Sequence, residues 1–187
     1  MKLLSLVQEQ FDLQIAETQS PLVTARPLQL PFYRKENIEE AIQNIVPQTN
    51  EQMRCHLAVS QIVIGLAIEL DVSLFIGNLF EVNPQLGLCG ICDYLISRSP
   101  LTFRIHPPVA LIVEVKRDLE RALPHCLVEL VAAQHLNHSD APIYGVLTTG
   151  LQWQFLKLEG KQVTIEQTVY ELAPVDRITD MLAAMIV

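Results

Sequence analysis

Residues 107–118 read "PPVALIVEVKRD". Five apolar residues, Val109 to Val113, are followed by Glu114, Val115 and Lys116. An unbroken apolar run entered through two prolines predicts a strand over 109–116, covered on both faces. Strand side chains alternate, so Glu114 and Lys116 project to the same side. An ionised carboxylate or ammonium is costly to bury unless it is paired or bound to a metal. An i, i+2 pair partly neutralises itself; a divalent cation would do more for the carboxylate.

Working outward, "VSLFIGNLFEVN" (72–83) reads as a strand or a tight hairpin around Gly77-Asn78, and "GLCGICDYLISRS" (87–99) as a second strand. Residues 119–137 follow with a helical stripe of Leu123, Leu127, Leu130 and Val131. "IYGVLTTG" and "WQFLKLEG" are strands joined at 149–151, "QVTIEQTVYEL" is one more, and Pro174 opens a last helix, about 175–185. Before the strands, residues 2–11 suit a short helix, and Pro21, Pro27 and Pro31 hold extended or turn conformations. Asn37 with Glu40 starts a helix over 38–46, and Thr49 with Gln52 starts a long one over 50–69. The expected architecture is an α/β/α sandwich with a central mixed β-sheet. Residues 1–47 form a helical and extended segment packed on a 48–187 core, all one structural unit.

Composition narrows the function. The 187 residues are 50% hydrophobic and 18% charged, with a net charge of −8. Mean hydropathy is +0.27 and the pI about 5.0. These values exclude a disordered chain and favour self-association, so a homodimer is expected. The basic footprint usual for nucleic-acid binders is missing at whole-chain level. The opening "MKLLSLVQEQ" is too short an apolar run for a signal peptide, and "IVIGLAI" stops at Glu69. No membrane association and a cytoplasmic location are expected. No Gly-rich phosphate loop and no G-x-S-x-G occurs in the sequence.

A second carboxylate, Asp93, lies on the strand before Glu114. Adjacent strands sit about 4.8 Å apart, so the two could converge on one hard cation with the Val115 carbonyl and waters, the donor set Mg²⁺ prefers. Lys116 would then reach a bound water or a phosphate oxygen. "CGICDYLIS" followed by "PPVALIVEVK" resembles the PD-(D/E)xK nuclease superfamily, whose fold is restriction-endonuclease-like. Asp93 matches its strand aspartate, and Glu114-Val115-Lys116 its ExK element. Gln134, in "ELVAAQ", matches the helical glutamine of several branches. Glu51 is the candidate for the glutamate often found on the helix before the first strand. "PIYGVLTTGLQWQFLKL" is similar to a Gly-Val-x-Thr-x-Gly-x-x-Trp-x-Phe hairpin of bacterial proteins in the superfamily. The resemblance spans roughly residues 48–160. Cys92, not proline, precedes Asp93, although many branches lack that proline, and His138 stands where the Gln-x-x-x-Tyr variant has tyrosine.

The resemblance implies a metal-dependent phosphodiester hydrolase acting on DNA, with Mg²⁺ or Mn²⁺ held by Asp93 and Glu114. Lys116 would be catalytic, supported by Gln134 and Glu51. The alternative is a catalytically inactive binding or assembly module of the same fold, or a partner subunit of a larger nuclease complex. Blander accounts stand beside each residue. Glu114 and Lys116 could be a surface pair, Asp93 a turn cap, Glu51 a first-turn acid facing the helix dipole, and Gln134 a solvated polar residue. Cys89 and Cys92, three apart on a strand, point to opposite faces. Cys55 and Cys126 are expected in the core, His135 and His138 in solvent at a helix end, and Trp153 and Phe155 in the sheet core.

Overall fold

A computed structural model describes residues 2–28, 32–45 and 58–187. Helices α1 (Lys2–Phe11), α2 (Phe32–Ile45) and α3 (Ser60–Leu70) precede the main strands, with strand β1 (Gln14–Thr18) between the first two. Strands β2 (Ser73–Asn83), β3 (Leu88–Ser97) and β4 (Val109–Val115) lead into helix α4 (Leu119–Asn137). Then come β5 (Ile143–Thr148), β6 (Gln152–Glu159), β7 (Gln162–Glu166), the short β8 (Tyr170–Glu171) and α5 (Val175–Ile186). The eight strands form one mixed sheet in the order β1-β7-β6-β5-β4-β3-β2, with β8 on the end of β6. Antiparallel β2, β3 and β4 are followed by an α4 crossover to β5, which runs parallel to β4.

Alternation along β4 builds both halves of the core. Leu111, Val113 and Val115 face a cluster with Ile62, Leu66, Ile178 and Leu182, from α3 and α5. Ile112 faces another with Leu127 and Leu130 of α4 and Val7 of α1. The sheet is therefore flanked by helices on both faces, and every residue of β4 is buried. No helix among the described residues is long and apolar enough to cross a membrane.

Helix α4 is fixed at both ends. Asp118 Oδ1 accepts the Glu120 N–H at 2.9 Å, capping the first turn. At the other end the Asn137 amide bridges Val109, accepting its N–H and donating to its carbonyl, both at 2.8 Å. The end of the helix is thereby pinned to the start of the strand it covers.

Of its two expected forms, the 72–83 segment takes the single strand. Gly77 lies within it at φ +60°, a conformation glycine adopts freely, and Phe75 and Phe80 on either side join the same core cluster. Three other local expectations change. Helix α2 begins at Phe32, directly after Pro31 in sequence, so Asn37 falls inside it rather than capping it. The segment 162–172 divides into β7 and β8, because buried Glu166 turns the chain away. Its carboxylate accepts the Leu22 N–H at 3.2 Å and pairs with the Tyr170 hydroxyl. Strand β1 has no counterpart in the sequence pattern. It lies parallel to β7 at the sheet edge, and no residue in it is fully buried, so no alternation marks it. The strand makes residues 14–18 part of the sheet itself.

Helix α4 crosses β5 closely at Gly145. A Cβ on Gly145 would lie 2.8 Å from Cys126 Sγ, 2.9 Å from Leu156 Cγ and 3.0 Å from Leu130 Cδ1. Gly145→Ala is therefore expected to destabilise the fold by about 1–3 kcal/mol, measured by urea unfolding. An unchanged midpoint would show that α4 does not press on β5 this closely.

Candidate active site

The site begins where the β3–β4 ladder stops. Its backbone register runs from Ser97↔Val109 to Tyr94↔Val113. Past that point the Asp93 carboxylate takes over, Oδ2 accepting the Val115 N–H at 2.9 Å. A side chain has replaced a backbone acceptor, so Asp93 is held beside the end of β4.

Glu114 is the only charged residue within β4 and is 3% exposed. Stripping water from a carboxylate costs several kcal/mol, and Lys116 offsets that cost. Its Nζ lies 2.6 Å from Glu114 Oε1, 3.5 Å from Asp93 Oδ2 and 3.2 Å from the Val115 carbonyl oxygen. Three oxygens from two strands thus surround one positive charge. Burial pushes the Glu114 pKa up to about 7; Asp93 adds to the rise and Lys116 opposes it. Burial works against the Lys116 charge, but Glu114 and Asp93 outweigh it and raise its pKa. Lys116 is therefore an ammonium at neutral pH.

Behind this group lies a cavity of about 290 Å³ between α1, α4 and the β2–β3 pair, bordered by Glu114, Lys116, His125 and Glu129. Glu129, on α4, accepts from the Cys92 thiol at 3.5 Å. Burial and then the Glu114 charge raise the Glu129 pKa to about 9. The Cys92 thiol is also pushed well up, by burial and then by Glu129.

The structure brings together Asp93, Glu114 and Lys116, but not Gln134. That residue borders a different surface cavity with His135, His138 and Lys161. With its amide oriented to match donors to acceptors, it spans Gly160, 2.9 Å to the carbonyl oxygen and 3.0 Å to the nitrogen. The reason is geometric. Asn137, at the end of α4, is bonded to Val109, while Glu114 lies five residues further along the strand, roughly 17 Å away. Gln134, about 4.5 Å from Asn137 along the helix axis, stays near the wrong end. Glu51 lies outside the described residues, as does Cys55. Cys89 is exposed and Cys92 buried, in line with their opposite faces. Cys126, Trp153 and Phe155 are buried and His135 and His138 exposed, as expected.

Glu129 is the residue missed by the sequence reading. Its signal is a carboxylate three positions from Cys126 and from Ala132, both buried on the strand-facing side of α4. An acid inside an apolar helical stripe marks a buried polar site.

Among the described residues no group of three His, Cys, Asp or Glu is placed to hold a metal. Asp93, Glu114 and the Val115 carbonyl still fit a hard cation, since Mg²⁺ commonly takes one or two carboxylates and keeps several waters. No protein-family model matches the chain, and no curated protein matches it.

The raised Glu129 pKa has a thermodynamic consequence. Between the ordinary value of 4.5 and about 9 the folded protein holds a proton that the unfolded chain has released. The stability this contributes is complete below pH 4.5 and is lost as pH rises through that window. Glu129→Gln removes the loss. Its Tm advantage over the parent is expected to be larger at pH 8 than at pH 5, by at least several degrees. An equal difference at both pH values, by calorimetry, would contradict the half-buried, protonated acid.

Proposed function

We propose that the chain is a metal-dependent phosphodiester hydrolase of PD-(D/E)xK type, with a restriction-endonuclease-like fold, acting on DNA. The observation that carries this is the convergence of Glu114 Oε1, Asp93 Oδ2 and the Val115 carbonyl on the Lys116 ammonium, within 2.6–3.5 Å. Burying acids from neighbouring strands around one cation is costly, and cation binding gives that arrangement a use. The element order offers support: a helix, three antiparallel strands, a crossover helix and a parallel strand. The acidic residues stand where the crossover begins.

Asp93, Glu114 and the Val115 carbonyl would hold Mg²⁺ or Mn²⁺. The bound cation supplies an activated water and neutralises charge on the phosphodiester. Lys116, already protonated, positions that water or a phosphate oxygen and does not take up a proton. Gln134 and Glu51 carry no part of this proposal. The chain is further proposed to act as a homodimer: Leu79 and Ile91, paired across β2 and β3, are 65% and 70% exposed beside the sheet edge.

Buried Glu114 and half-buried Glu129 around the same cavity on an acidic chain favour a second possibility, a non-catalytic module of this fold or a partner subunit of a nuclease complex. Cleavage separates the two. Purified protein is expected to hydrolyse DNA with Mg²⁺ or Mn²⁺. Glu114→Ala or Lys116→Ala should lower the rate by at least about 100-fold, with circular dichroism unchanged. Absence of cleavage with either metal would favour the module.

A further inference from the structure

We infer that the cavity beside Glu114 is a subsite for one unpaired nucleotide, so that the substrate is single-stranded rather than duplex nucleic acid. This rests on the hydrolase proposed above and names its substrate class. Glu114 is 3% exposed and borders the cavity instead of standing on a surface. A duplex is a stiff rod and presents its phosphates outside its stacked bases. A phosphodiester can meet Glu114 only if its own nucleotide enters. Extracting a paired base costs a few kcal/mol, and least when the strand is already single.

The lining matches such an occupant. Val7, Phe80, Leu88, Val128 and Ala132 line the cavity with apolar side chains beside Glu114 and Lys116. That lining suits the face of a base, which binds single strands without hydrogen-bond readout. The volume of about 290 Å³ is near the lower end for ligand pockets, room for one nucleotide and not a base pair. His125 borders the cavity, and Arg117 and Arg121 are exposed just before it in the chain. Arg117 and Arg121 share that turn with exposed Asp118 and Glu120, so Lys116 is the cation the cavity itself presents to a phosphate.

The test uses the full chain with Mn²⁺ and three substrates: a single-stranded oligodeoxynucleotide, its blunt duplex, and single strands carrying one abasic position at each site in turn. The single strand is expected to be cut at least about tenfold faster than the duplex, and an abasic position at the cleaved nucleotide to slow the reaction about fivefold or more. Val128→Trp, which fills the cavity, should abolish the single-strand preference while calorimetric Mn²⁺ binding persists. The abasic series needs no variant, so a misfolded Val128→Trp leaves the test intact. Equal rates on strand and duplex, with indifference to abasic positions, would overturn the subsite and leave the hydrolase standing. If neither substrate is cut, the hydrolase proposal falls and takes the subsite with it.

Discussion

The rest of the structure depends on a carboxylate that a buried strand cannot hold unaided. Every residue of β4 is shielded, and Glu114 sits among them. A buried carboxylate must be neutralised, by a proton or a counter-charge. Lys116 supplies the counter-charge two residues on, and Asp93 shares it from the neighbouring strand. Burial raises Glu114 to about 7, so at neutral pH its proton is only weakly held. A site so balanced responds to small changes of charge, as catalytic and ion-binding sites do.

Backbone geometry opens the space around it. The ladder between β3 and β4 ends at Tyr94↔Val113, and Asp93 replaces the next backbone acceptor. Phe75 and Phe80, on either side of Gly77, both join the α4-side core cluster. The cavity lies between the β2–β3 pair, α1 and α4. Asn137 pins the end of α4 to the start of β4, which sets which turn of the helix overlooks Glu114.

Much of this was legible because the physics is local. Five consecutive apolar residues before Glu114 marked a strand covered on both faces, and the alternation rule put Glu114 and Lys116 on one side. The 119–137 helix followed from its leucine spacing. What was not legible depends on tertiary placement. Gln134 was assigned by resemblance, but the distance between the two ends of β4 separates it from Glu114. Glu129 takes the position over the cavity because it is on the strand-facing side of α4, which shows in the sequence only once Cys126 and Ala132 are taken as buried. Strand β1 escaped because a peripheral strand with one well-covered neighbour shows no apolar period. The division at Glu166 follows from a tether to Leu22, 144 positions away, which no sequence window contains.

The oxygens of Asp93, Glu114 and Val115 are proposed to form a cation site whose place the Lys116 ammonium takes. Anomalous diffraction from crystals grown with Mn²⁺ checks this. A manganese peak is expected between the Asp93 and Glu114 carboxylates, with Lys116 Nζ displaced from Glu114 Oε1. A site without a peak at saturating Mn²⁺, with the Lys116–Glu114 pair unmoved, would contradict it.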